Sequence, residues 1–179
     1  MAIFRIYPEK DSFIWSEPSV AGLYGNAGKD PVLEIGGYPD LTLTGRTTRG
    51  LIQFRTLDIQ SALNTKVVGS YSASLHLSLA NATELPDSFN IHALPVSSSW
   101  ETGFGQRVDN PINTSGVTWK HKDVLTTQWS ALGGDYLASP AASQSFDSTS
   151  DYDIDINVTP AITGFYSGSL ANNGFVLKI

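Results

Sequence analysis

The chain has 179 residues, with 11 Lys and Arg against 17 Asp and Glu and a formal net charge of −6. This acidic balance argues against a nucleic-acid-binding domain, because binding to phosphates needs clustered Lys and Arg. The absence of cysteine excludes a disulfide framework, a thiolate nucleophile and a zinc site with cysteine ligands. The N-terminus lacks the regions of a signal peptide and no stretch is apolar enough for a membrane span, so we expect a protein that is synthesised in a cytoplasm and not secreted.

Alternation of apolar and polar residues predicts short strands along most of the chain. The first candidates are residues 3–7, 12–15, 31–35, 41–44 and 49–56. The clearest run is residues 70–79, where Leu75 and Leu77 alternate with serines and His76, which gives one apolar and one polar face. Residues 88–96 alternate in the same way, and we predict that these two runs form a hairpin with a long loop. Further strands are predicted over 117–120, 153–158 and 174–179.

Helical signals are few. Thr159 followed by Pro160 is typical of an N-cap and the first helical position, and apolar residues then recur at helical spacing before Gly168. These signals predict one short helix near residues 159–167, and a further single turn is predicted over 57–63. Residues 97–123 form a predicted long connection.

Roughly ten short strands without an alternating helix pattern indicate an all-β fold. We therefore predict a single domain over residues 1–179, a jelly-roll β-sandwich. Its predicted core consists of Leu75, Leu77, Phe89, Ile91, Ile154, Ile156, Phe175 and Leu177.

Several sequence blocks, taken in order, resemble one known type of domain. They are KDSFI at 10–14, LYG at 23–25 with VLEIG at 32–36, RGLIQF at 49–54, SWETGFG at 99–105 with DNP at 109–111 and GVTW at 116–119, and INVT at 156–159 through NNGFVLK at 172–178. The blocks resemble the DNRLRE-type β-sandwich, which is related to a carbohydrate-binding module family, in the form found in virion proteins of marine tailed phages. The resemblance implies a jelly-roll sandwich without an active site of its own.

The function that the resemblance implies is that of a non-enzymatic virion structural protein of a tailed phage, either a capsid decoration subunit or a neck or tail accessory. Its expected location is the virion, and its expected partners are other virion proteins and further copies of itself, with no nucleic acid or membrane. The alternative is a carbohydrate-binding module that attaches particles to a cell-surface polysaccharide. Since the sequence holds no nucleophile elbow, phosphate-binding glycine loop or HExxH motif, no catalytic or cofactor-binding residues are predicted.

An acidic run is the first candidate site. Asp151, Asp153 and Asp155 alternate with apolar residues, and in a strand they share one face at a spacing of roughly 7 Å. Carboxylates so placed repel one another unless a cation or a basic residue intervenes. One interpretation is a structural Ca²⁺ site, since this ion takes several oxygen ligands. The other is a solvated polar face.

Aromatic residues in the second half of the chain are the other candidates. We expect Trp100 and Trp119 to hold the long connection against the sandwich. Trp129, Tyr136 and Tyr152 follow that connection, and two interpretations stay open for them. Exposed aromatic rings would contact a sugar or a protein partner, whereas buried rings would serve ordinary packing.

Overall fold

In the computed structural model, two antiparallel sheets and two short helices form the regular part of the described residues. The structure describes residues 3–16, 25–38, 46–80, 88–146 and 153–179. Its helices are α1 (Thr56–Leu63) and α2 (Thr159–Ser167). Its strands are β1 (Pro8–Trp15), β2 (Gly36–Tyr38), β3 (Arg46–Phe54), β4 (Ser74–Ser78), β5 (Phe89–Pro95), β6 (Ala142–Phe146), β7 (Asp153–Asn157) and β8 (Phe175–Lys178).

The larger sheet has six strands in the order β1-β3-β8-β5-β6, and β2 pairs with the beginning of β3. The smaller sheet consists of β4 and β7. The described strand pairs are all antiparallel. The all-β sandwich predicted from the sequence is therefore confirmed.

The main core lies between one face of the larger sheet and a layer made of the smaller sheet and both helices. Alternate residues of β3 and β8, such as Ile52, Phe175 and Leu177, enter this core, while Leu51 and Val176 point to the opposite face. The predicted core residues all lie in or against this cluster, with Leu77 and Phe89 only half-buried. The polar residues that alternate with them on β4 and β7 are exposed, as a strand's period of two requires.

Helix α2 confirms the short helix predicted near residues 159–167 and ends at Gly168, which has a left-handed φ of 77°. Its N-cap is Val158 rather than Thr159. The Thr159 hydroxyl instead accepts a hydrogen bond from the N–H of Ala73 at 2.8 Å. Helix α1 confirms the turn predicted over 57–63 and packs Ile59 and Leu63 into the main core.

The predicted hairpin between residues 70–79 and 88–96 is wrong, although each segment contains a strand. β4 pairs with β7, and β5 pairs with β6 and β8. The two strands thus belong to different sheets. An alternating pattern fixes which side chains face the core, but it does not choose the neighbouring strand.

Three further predicted strands are not strands in the structure, and the segment 41–44 lies outside the described residues. Residues 3–7 find no partner because β3 ends at Phe54, opposite Pro8. Residues 31–35 place Leu33 and Ile35 over Gly50 without ladder pairing. In residues 117–120, the N–H of Val117 bonds to the carbonyl of Glu101, within a loop.

Candidate functional site

A long irregular segment, residues 97–141, covers the second face of the larger sheet and is called the loop layer below. Ile14, Leu51, Leu94 and Val176 of the sheet pack there against Trp100, Val117, Trp119 and Trp129 of the loop layer. The Trp100 indole N–H donates to the carbonyl of Asn173 at 2.9 Å. These contacts confirm that Trp100 and Trp119 hold the long connection against the sandwich.

Trp129 belongs to the same buried cluster. Only 5% of its surface is exposed, and its indole N–H donates to the carbonyl of Thr118 at 3.0 Å. Trp129 therefore serves packing, and its interpretation as an exposed contact for a ligand is corrected. Its polar nitrogen is satisfied inside the protein, so the whole ring is free to be buried.

Asn26 joins a separate segment, residues 25–30, to the loop layer. Its fully buried side-chain amide donates to the carbonyls of Thr102 at 2.7 Å and Val117 at 2.9 Å. Its oxygen accepts from the N–H groups of Gly28 at 3.2 Å and Gly105 at 2.8 Å. One side chain thus fixes three stretches of chain that are far apart in sequence.

The Asp123 carboxylate organises a turn within the loop layer. Asp123 accepts hydrogen bonds from the backbone N–H and the hydroxyl of both Thr126 and Thr127. These bonds, led by those from Thr127, lower the pKa of Asp123 to about 2 against the opposing effect of desolvation. Hydrogen bonds to this carboxylate therefore satisfy backbone N–H groups of the loop layer, as strand pairing does within a sheet.

A cleft opens in the loop layer around the Arg49 side chain. Its volume is about 360 Å³, and its lining includes Arg49, Ser97, Ser130, Leu132, Asp135 and Tyr136. Arg49 lies on β3 opposite Ile14, so its side chain emerges on the face that the loop layer covers. We call this feature the Arg49 cleft.

The Arg49 guanidinium lies near two aromatic rings and is half-buried. Its carbon lies 4.9 Å from the Trp119 ring centre and 5.8 Å from that of Tyr136. One terminal nitrogen donates to the carbonyl of Gly133 at 2.6 Å, while the buried Nε has no hydrogen-bond partner. Burial lowers the pKa of Arg49, and the nearby Tyr136 opposes this shift. No acidic side chain of the described residues forms an ion pair with Arg49.

Tyr136 is the one predicted aromatic contact residue that the structure places in the cleft. Lys178 donates to its hydroxyl at 3.3 Å, with the ammonium 5.2 Å from the ring centre. Asp135 also lines the cleft, and its carboxylate accepts from the N–H groups of Ser130 and Ala131. Burial raises the pKa of Asp135, but the bonds from Ser130 and Ala131 together with the nearby charge of Lys122 outweigh that effect, and the net shift is downward. Tyr152 lies outside the described residues.

The acidic run falls partly on β7, where Asp153 and Asp155 are exposed. Asp155 lies across from His76 and hydrogen-bonds its Nδ1 at 3.0 Å, and Asp153 accepts from the Ser78 hydroxyl at 2.9 Å. Asp151 lies outside the described residues. Within the described ranges, no group of three or more His, Asp or Glu side chains is placed to hold a metal ion, and the Ca²⁺ site stays a prediction.

The loop layer also exposes large apolar side chains. Phe104 is 71% exposed and Val108 is 83% exposed, and both lie in the loop that Asn26 anchors at Gly105. Ile112, farther along the same loop, is also exposed. Protein-contact surfaces expose contiguous apolar patches of this kind of residue.

Of the three histidines, His76 is exposed, His92 is half-buried and His121 is buried. Burial lowers the pKa of His121, with Lys120 adding to the effect and Asp123 opposing it.

No helix in the described part of the chain is both long and apolar enough to cross a membrane.

No family model matches the chain, and no curated protein or solved structure does either. The resemblance to the DNRLRE-type sandwich therefore stays a prediction.

Sequence reasoning missed Arg49 and Asn26, the two polar residues on which this region depends. A single arginine in an alternating strand has no distinguishing local pattern. For Asn26, the neighbouring glycines at 25 and 28 were the available signal, since glycine marks close approach of two backbones. A Cβ at Gly28 would lie 2.3 Å from the carbonyl oxygen of Thr102.

Proposed function

We propose that this chain is a non-enzymatic structural protein of a tailed-phage virion, a capsid decoration subunit or a neck or tail accessory, that acts through contacts with other virion proteins. The observation that carries the proposal is the loop layer, which is fixed to the sandwich and presents apolar side chains to water. Phe104 and Val108 are the most exposed of these on the loop anchored by Asn26.

The fixed loop matters because ordering a mobile loop at an interface costs conformational entropy. The bonds of Asn26 and the buried Trp100 hold the loop in place before any partner arrives. Burial of two exposed apolar side chains against a partner then contributes roughly 1.5–3 kcal/mol for each of them. The assignment to a phage virion rests on the sequence blocks that resemble the DNRLRE-type sandwich.

Mass spectrometry of purified particles tests the role directly, and we expect the chain in amounts comparable to other structural proteins. Its absence from particles that hold every other structural protein would refute the proposal. The surface is tested with a Phe104→Ser, Val108→Ser double variant, which should bind particles lacking the chain at least about tenfold more weakly than the unmodified chain.

The matched control is a Val67→Ser, Val68→Ser double variant. These valines are 75% and 68% exposed and follow α1, which packs on the opposite face of the larger sheet. The control should bind as the unmodified chain does. Equal weakening by both double variants would show that the loop layer has no special role in the contact.

Carbohydrate binding is the second candidate function, for which the Arg49 cleft offers the hydroxyl groups of Ser97 and Ser130. A glycan array with the chain displayed in many copies is the suitable test, since single modules bind weakly. A flat response over acidic and neutral polysaccharides would leave only the structural role.

A further inference from the structure

We propose that the Arg49 cleft binds the side-chain carboxylate of an acidic segment in a partner protein. The inference rests on the proposed protein-contact role and gives the partner's chemistry. It concerns a different part of the loop layer from the exposed apolar loop of Phe104.

The charge of the cleft favours an acidic ligand. Arg49 and Lys178 supply two positive charges around Tyr136, and Asp135 supplies one negative charge. Both oxygens of Asp135 already accept backbone N–H groups. The cleft is thus locally positive on a chain whose net charge is −6, so it attracts an acidic segment.

The Arg49 guanidinium also suits a carboxylate. Arg49 donates one hydrogen bond, to Gly133, and forms no ion pair with a described acidic residue. A planar guanidinium binds a carboxylate through two parallel hydrogen bonds. Contacts with the Trp119 and Tyr136 rings and the bond to Gly133 hold the group in place beforehand, which reduces the entropy lost on binding.

The aromatic rings around the cleft favour a carboxylate over a neutral sugar. Sugar recognition by stacking needs an open aromatic face. Trp119 and Trp129 are buried, and the Tyr136 ring already contacts Arg49 and Lys178. At the rim, Leu132 is 57% exposed, which suits the aliphatic stem of an acidic side chain.

Titration of the ¹⁵N-labelled chain with two short peptides tests the proposal. The peptides are identical except for a central Asp in one and Asn in the other. We expect the Asp peptide to shift the amide signals of residues 130–136 and the Arg49 Nε–H signal saturably, with a dissociation constant on the order of 1 mM. The Asn peptide should cause no saturable shift.

Variants assign the effect to the cleft. Lys178→Gln should weaken binding roughly threefold, because it removes one charge from a partly exposed pair, and Arg49→Lys should weaken it at least about tenfold by removing the planar fork. Lys10→Gln is the matched control. Lys10, like Arg49, donates to a carbonyl and lies over a tryptophan ring, that of Trp100. Its contacts are with Trp100 rather than with Tyr136, which Lys178 contacts at the cleft, so this variant should bind normally.

Three results would overturn the proposal. Equal binding of the Asn peptide would remove the role of charge, and the absence of saturable shifts at about tenfold the expected dissociation constant would remove binding itself. Tighter binding of a neutral or uronate disaccharide at the same amides would assign the cleft to carbohydrate. If Arg49→Lys fails to fold, two other measurements still test the proposal. They are the binding of the Asp peptide to Lys178→Gln and the weakening of binding expected with added salt. The titration uses the purified chain, so absence of the chain from particles would refute the proposed function without affecting this result.

Discussion

Replacement of Asn26 is expected to destabilise the attachment of the loop layer more than any substitution of a surface residue. In Asn26→Ala, four hydrogen bonds are lost at a position that is 0% exposed. A cost of about 1 kcal/mol for each bond gives a loss of about 4 kcal/mol in the free energy of unfolding. The measurement is urea denaturation followed by tryptophan fluorescence, with the midpoint and slope compared between variants.

The Asn26→Asp variant changes the hydrogen-bonding groups of this side chain without changing its shape. The new carboxyl still accepts from Gly28 and Gly105, but its second oxygen faces the carbonyls of Thr102 and Val117. Burial and these carbonyls should raise its pKa above the ordinary value of about 3.9. The destabilisation should therefore be small below the unfolded pKa, grow as the pH rises towards the folded pKa, and reach about 3–5 kcal/mol at neutral pH.

Asn90→Ala is the control for both variants. Asn90 is exposed on β5, and its replacement should change the stability by less than about 0.5 kcal/mol. A loss below about 1 kcal/mol for Asn26→Ala, or a cost of Asn26→Asp that does not vary with pH, would refute the role given to this side chain.

Three further outcomes are expected. Trp100→Phe should cost about 2 kcal/mol in urea denaturation, because the 1% exposed indole loses both its bond to Asn173 and part of its packing; an unchanged midpoint would contradict this. Since the pKa of Asp123 falls from 3.8 to about 2 on folding, its stabilising effect should be complete above pH 3.8 and lost as the pH falls through 2; the difference in melting temperature between the chain and Asp123→Ala should shrink over that range. Millimolar Ca²⁺ or EDTA at fixed ionic strength should leave the melting temperature unchanged, because Asp153 and Asp155 are exposed and bonded to Ser78 and His76; a rise of several degrees with Ca²⁺ that Asp153→Asn reduces would instead establish the metal site.

Local pattern determined the elements whose signals are complete within a few residues. β4 and β7 alternate cleanly between apolar and polar positions, and β5 does so as far as Ala93. A strand's period of two then fixes which side chains are buried. Pro160 and Gly168 bound α2 because the first fixes a helical φ and the second adopts a left-handed one. The strand β6 was missed, since its sequence ASQSF holds a single large apolar residue, Phe146.

Tertiary structure decided which strands pair and where the candidate site lies. The alternation of β4 is satisfied by any apolar partner, so nothing local distinguishes pairing with β7 from the predicted hairpin with β5. The Arg49 cleft brings together residues from β3, from the loop layer and, through Lys178, from β8. Trp129 was open to either interpretation because an indole packs or binds according to what surrounds it. Such sites depend on long-range contacts, which a sequence encodes only through the whole fold.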